Sequence, residues 1–219
     1  MQADAQSLRL ELGTVEDLPV IYRCLQQQFP PDEFYCYERM QQMLNHNQYK
    51  ILLYKQGEQL VGYATVCSMA DCQTLWLDLL AVLPQYQSAG FGGKLFEAIY
   101  QKYCGPFRGM LLCAERVDSK DPEYARQQQR RLRFYEKHGA YRLKTDFLLP
   151  VPSGGLPMYL YYKPHKGILR LSRGEQVAML TEMFDYCYSH MKHAPQLLHD
   201  FNPTITDEVF LEAKGGQTC

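Results

Sequence analysis

Leu8, Leu10 and Leu12 alternate with Arg9 and Glu11, the two-residue period of a strand with one face buried. Thr14 followed by Asp17 resembles a helix-opening pair and predicts a helix to about Gln28. "FPPDEF" interrupts it, and a second helix carrying Met40, Met43 and Leu44 ends near Asn45. "YKILLYKQGEQLVGYATVCSM" predicts two strands around a turn at Gly57. "TLWLDLLAV" is a longer apolar strand with one charge, Asp78, inside it.

The pattern then changes twice within "LAVLPQYQSAGFGGKLFEAIYQKYCG". The apolar run stops at Pro84 and three glycines follow at 90, 92 and 93. Leu95, Phe96, Ile99, Tyr100 and Tyr103 next mark one face of a helix that ends at Gly105 and Pro106. "GMLLCA" reads as a buried strand, and Pro122 opens a polar helix to His138 with Gly139 just past its end. "YRLKTDFLL" and "MYLYYK" read as strands flanking a loop, "PVPSGGLP". Ser172 with Glu175 caps a last helix to about His190. The order β-α-α-β-β-β-α-β-α-β-β-α predicts one α/β domain around a mixed sheet, over 1–219, with a frayed tail at 214–219.

Net charge is -1, from 23 basic and 24 acidic residues, so no footprint for nucleic acid or an anionic membrane is expected. No apolar window of membrane-spanning length occurs, and the start lacks the basic and apolar regions of a secretory leader. Eight scattered cysteines without a CxxC pair point to reduced thiols, a cytoplasmic location and no zinc.

A strand, a glycine turn and a helix start together suit a phosphate. The helix begins with unpaired N–H groups at the positive end of its dipole, and glycines let the anion approach. A P-loop fails because Ser88 stands for its first glycine and Leu95 follows Lys94. A dinucleotide fingerprint fails because Leu95 stands for its third glycine. The pattern Q/R-x-x-G-x-G/A is met in full by Gln87, Ser88, Ala89, Gly90, Phe91 and Gly92. Further on, "RFYEKHGAYRL" closes a helix and enters a strand.

On these two motifs the chain resembles the GNAT superfamily of acyl-CoA-dependent N-acyltransferases, over roughly residues 8–148. Residues 149–200 form a C-terminal strand and helix extension. The resemblance implies an α+β-like domain with a twisted, mixed and mostly antiparallel central sheet flanked by helices. It also implies acetyl-CoA as co-substrate, no metal, and transfer of the acetyl group to a primary amine of a small molecule or peptide by direct attack. The backbone of Leu80, Ala81 and Val82 would pair with the pantetheine arm, with an amide near Leu80 polarising the thioester oxygen. Gln87, Ser88, Ala89, Gly90, Phe91, Gly92 and Gly93 would hold the diphosphate. Tyr135 would be the acid that protonates the leaving thiolate, or else an aromatic packed behind the coenzyme.

Asp78 is a candidate base, since a carboxylate in an apolar strand needs a reason to be there; a structural role is the alternative. Glu115 is the second candidate, and water relayed from either is a third route. Asp32, Glu33 and Tyr35, between the first two helices, would line the acceptor entrance, or form an exposed loop with its aromatics in the core. Gln127, Gln128, Arg131 and the Ala140–Tyr141 pair depart from the family pattern. An acyl-cysteine route through Cys67 or Cys113 lacks a paired histidine. "RQQQRRLR" reads as a solvated face, and His190 and His193 as cations at a helix end. A homodimer stays open, as does the alternative of a non-catalytic acyl-CoA-binding module.

Overall fold

The computed structural model describes residues 7–210. The predicted tail at 214–219 lies outside them. The chain divides into two compact units: Met1–Ser68 with Leu77–Tyr103, and Met69–Trp76 with Cys104–Cys219.

The first unit begins with β1 (Leu8–Leu12), which pairs antiparallel with β2 (Tyr49–Gln56). Between them lie α1 (Leu18–Gln28) and α2 (Tyr37–Leu44). The expected helix from Thr14 is a 3-10 turn over Val15–Asp17 first, because the Asp17 carboxylate accepts the Thr14 amide at 2.8 Å and Pro19 then opens α1. α1 buries Leu18, Ile21 and Leu25, a stripe at helical spacing. β2 returns as β3 (Gln59–Met69) through a two-residue turn with Gly57 at φ 58°. β4 (Thr74–Val82) follows, its Leu77–Val82 part belonging to this unit, and then α3 (Phe91–Tyr103). The strands lie in the order β1-β2-β3-β4.

In the second unit β5 (Gly109–Glu115) pairs antiparallel with β8 (Gly154–Pro164), and α4 (Pro122–Lys137) connects β5 to β6 (Tyr141–Arg142). β6 and β7 (Leu148–Val151) both pair antiparallel with β8. Two expectations change here. "YRLKTDFLL" is two short strands, because the intervening amides of Lys144 and Asp146 bond to Glu208 and Thr204 side chains instead of a ladder. "PVPSGGLP" is not a loop: Val151 pairs with Gly154 across a tight hairpin turn.

The C-terminal part holds more than the single expected helix. β9 (Arg170–Leu171) pairs with β10 (Glu208–Val209), and α5 (Arg173–Cys187) is followed by α6 (Ala194–Phe201). α5 starts at the predicted Ser172–Glu175 capping box. His193 does not act at a helix C-terminus; its Nε2 lies 3.0 and 3.1 Å from the carbonyl oxygens of Val151 and Gly154 and ties the β7–β8 turn. The protein is a mixed α/β fold with a mostly antiparallel sheet flanked by helices. Among the described residues no helix is long and apolar enough to cross a membrane.

Candidate active site

The glycine turn stands at the end of β4. A 3-10 turn over Pro84–Tyr86 leads into it, and Ser88 (φ 65°) and Gly90 (φ 79°) both take left-handed angles. A Cβ on Gly90 would meet nothing within 4 Å, so the space above this backbone is open. The Lys94 amide bonds to the Gly90 carbonyl at 3.4 Å, which places the amides of Phe91, Gly92 and Gly93 in the first turn, ahead of any intrahelical acceptor. Aligned peptide dipoles add partial positive charge at that point. Tyr86 braces the turn, its ring edge-on to Phe91 at 5.9 Å and its hydroxyl donating to Gln59 Oε1 at 3.1 Å.

The side chain of Gln87 engages the end of β4. Its Nε2 donates to the Val82 carbonyl at 3.1 Å, so the side chain folds back onto the strand while residues 87–90 stay exposed. Ala81 is buried, and Leu80 and Val82 are half-buried.

Asp78 is deeply partnered. Its Oδ2 accepts the Tyr49 hydroxyl at 2.7 Å and the Thr65 hydroxyl at 3.1 Å. Tyr49 and Thr65 are themselves buried. In the segment between α1 and α2, Asp32 is exposed and Glu33 half-buried, whereas Tyr35 is buried. The Tyr35 ring meets Tyr49 edge-on at 6.1 Å. Tyr49 thus connects two residues that the sequence proposed separately, Tyr35 and Asp78. A cavity of about 100 Å³ beside Tyr49, also lined by Thr14, Leu44 and His46, is smaller than the ~300–1,000 Å³ of ordinary ligand pockets.

In the second unit, Tyr135 occupies the last turn of α4 and is buried. Burial pushes its phenol up to about 12; the Arg131 guanidinium acts the other way and Cys113 adds to the rise. Its ring lies 5.2 Å from Phe134 and 6.0 Å from Tyr161. Glu115 is engaged on both oxygens. Arg131 Nη1 lies 3.0 Å from Oε2, and the Tyr124 hydroxyl lies 2.9 and 3.1 Å from Oε1 and Oε2. Arg131 and Gln128, two of the departures from the family pattern, therefore have local work: Arg131 pairs with Glu115, and buried Gln128 accepts the Ser119 amide at 3.4 Å. Gln127 is exposed.

Cys67 is buried and Cys113 is half-buried, and neither is in a disulfide. Among the described residues no group of three or more histidine, cysteine or acidic side chains is arranged to hold a metal.

Sequence reasoning missed Tyr49, Thr65 and Gln28. Gln28 carried a readable signal: it falls three residues after Leu25, so it continues the buried stripe of α1 with a polar side chain.

Residues 47–139 match the family model for an acetyltransferase (GNAT) domain. No curated protein matches the chain significantly in sequence. Among solved structures, a protein of Bacteroides thetaiotaomicron assigned to the GNAT acetyltransferases is similar with a TM-score of 0.64 at 19% identity, over 81% of this chain and 98% of its own. A variant of the spermidine N-acetyltransferase SpeG of Vibrio cholerae is similar with a TM-score of 0.55 at 13% identity, over 73% and 94%. NAA60 of Arabidopsis thaliana, solved in complex with acetyl-CoA, is similar with a TM-score of 0.54 at 16% identity, over 74% and 100%. The structural neighbours share the fold, and over residues 47–139 the chain is similar to an acetyltransferase (GNAT) domain.

Proposed function

We propose that the protein transfers an acetyl group from acetyl-CoA to a primary amine of a small molecule or peptide, by direct attack of the amine. The carrying observation is the open turn at Gly90, which presents the first amides of α3 at the end of β4. When bound, acetyl-CoA supplies a thioester carbonyl as electrophile and a thiolate as leaving group. The amides of Phe91, Gly92 and Gly93, with the exposed turn from Gln87 to Gly90, hold the diphosphate. The backbone of Leu80, Ala81 and Val82 orients the pantetheine arm, and an amide near Leu80 steadies the negative oxygen of the tetrahedral intermediate.

An amine attacks only after losing its ammonium proton. Asp78 accepts that proton at its carboxylate, directly or through water, with Tyr49 and Thr65 fixing its orientation. The C–N bond forms and the C–S bond breaks; the Tyr135 phenol gives its proton to the departing sulfur, and the second proton of the attacking nitrogen, passed through water, restores the phenol. A phenol held near 12 stays protonated at neutral pH and so has a proton to give. Glu115 is the weaker candidate, because Arg131 and Tyr124 occupy its oxygens. Asp32 and Glu33 draw a cationic amine toward the segment that Tyr35 anchors. The enzyme works in the cytoplasm, with its thiols reduced.

The test is thiol release from acetyl-CoA across a panel of polyamines, amino-acid amides and peptides, with products detected by mass. Amine-dependent release with an acetylated product is expected. Calorimetric binding of acetyl-CoA without turnover on any amine would refute transfer and leave a binding module.

A further inference from the structure

We infer that Gln28 is a positioning residue for coenzyme binding, acting through the carbonyl of Val82. This inference rests on the acetyl-CoA reading above. Gln28 is the last residue of α1, and its amide is held at both ends. Its Nε2 donates to the Val82 carbonyl at 2.9 Å, and its Oε1 accepts the Tyr63 hydroxyl at 2.9 Å. Tyr63 is fully buried in β3, so this phenol is a fixed post rather than a mobile surface group. Burial also raises its pKa far above the usual tyrosine value, which keeps it a donor.

Val82 is the last residue of β4, the strand from which the glycine turn springs. Its carbonyl accepts a second side-chain amide, that of Gln87, at 3.1 Å. A carbonyl has two lone pairs, and two glutamines account for both. The next amide, that of Leu83, bonds to the Val61 carbonyl at 2.9 Å and ties the same point to β3. The strand end is therefore set by α1 from one side and β3 from the other, before the chain enters the turn.

Two consequences follow for the coenzyme. A donor on the pantetheine arm must use a carbonyl other than that of Val82, or displace a glutamine from it. Gln87 is the exposed one and can leave, whereas Gln28 is half-buried and backed by Tyr63. Gln28 thereby holds the strand end in place while Gln87 is free to turn toward the diphosphate. A polar residue on the apolar stripe of α1 has its explanation in this contact, since an amide drawn partly out of water needs partners for both of its atoms.

The experiment measures acetyl-CoA affinity by calorimetry, with thermal unfolding alongside, for wild type, Gln28→Met and Tyr63→Phe. Methionine keeps the length of the side chain and removes both polar ends. Gln28→Met should weaken acetyl-CoA about tenfold, which is ~1.4 kcal/mol. Tyr63→Phe, which leaves the Val82 contact but frees the amide to swing, should weaken it about threefold. A merely structural role would lower the unfolding midpoint and leave the affinity of the folded protein within twofold of wild type, and that result overturns the inference. Should Gln28→Met fail to fold, unchanged affinity in Tyr63→Phe overturns it alone. Wild type that binds no acetyl-CoA would instead bring down the acetyl-CoA reading itself, and the inference with it.

Discussion

Gly90 and Gly139 have almost the same backbone angle, φ 79° and 77°, and a Cβ on either would meet nothing within 4 Å. One precedes a helix and the other follows one, and their surroundings differ accordingly. Past the end of α4 the amides of Gly139 and Ala140 return to the carbonyls of Glu136 and Tyr135, each at 3.0 Å, and Lys163 Nζ donates to the His138 carbonyl at 2.7 Å. This is a Schellman closure, in which the helix end satisfies its own carbonyls. At the start of α3 the first amides lie beside exposed turn residues, with the Gly90 carbonyl already serving Lys94. The same glycine conformation closes one helix upon itself and leaves the start of the other open. What the glycine permits is the same; the free donors decide the use.

The largest effect expected from breaking this comparison is Gly90→Asp. Aspartate tolerates a left-handed angle better than most residues, so the fold should survive at a cost of roughly 1–2 kcal/mol. Its carboxylate would occupy the open space and repel a diphosphate. Acetyl-CoA affinity by calorimetry should fall by roughly a hundredfold or more, which is ~2.8 kcal/mol. Gly90→Ala should lose far less, and equal losses for the two would show that backbone strain rather than charge is responsible.

Tyr135→Phe comes next. Tyr135 sits in the turn that Gly139 closes, and its own carbonyl accepts the Ala140 amide. Turnover should drop by about 10- to 100-fold with acetyl-CoA affinity within about twofold, as expected for loss of a general acid. With the phenol near 12, the wild-type rate should show no alkaline limb from Tyr135 through pH 10. The sign for stability agrees. The folded pKa lies above the ~10 of an unfolded tyrosine, so this contribution is intact below about pH 10 and is lost as pH rises toward 12. A limb near pH 8 that vanishes in Tyr135→Phe would contradict both.

Both helix ends were legible in the sequence because local chemistry dictates them. The glycine turn, Pro122, Gly139 and the Ser172–Glu175 box each act within a few residues, and each element begins or ends where that chemistry puts it. The short strands β6 and β7 were not legible as separate pieces. Their interruption depends on Glu208 and Thr204, more than fifty residues away, accepting amides that a strand would otherwise pair. The same holds at the candidate site. Asp78 stood out as a charge in an apolar run, but its partners Tyr49 and Thr65 come from β2 and β3 and only strand register brings them to it. Tyr35 stood out as a loop aromatic and turns out to be buried against Tyr49, a contact no spacing could reveal.

Gly139→Ala sharpens the comparison from the closed side. Forcing a side chain into the left-handed region should cost about 1–2 kcal/mol in denaturant unfolding, with the slope unchanged. Acetyl-CoA affinity should stay within about twofold, and turnover should fall less than in Tyr135→Phe. A loss of coenzyme affinity comparable to that of Gly90→Asp would show that the two glycines serve the same ligand and dissolve the distinction drawn above.

The smallest effect belongs to Glu115→Gln. The side chain pairs with Arg131 on α4, and Arg131 is substantially exposed, so the pair contributes at most about 1 kcal/mol after solvent screening. Glutamine keeps an acceptor for the Tyr124 hydroxyl and loses only the charge facing the guanidinium. Turnover should change by less than about threefold, against a much larger loss for Asp78→Asn, because only Asp78 is proposed to take the amine's proton. The two substitutions differ in one further respect that makes the contrast readable. Asp78 accepts two hydroxyls, which fix the orientation of its carboxylate, whereas Glu115 has a permanent cation among its partners. If Glu115→Gln proved the more damaging at neutral pH, the proton would have to leave through the second unit, and Asp78 would revert to a strut between β2, β3 and β4.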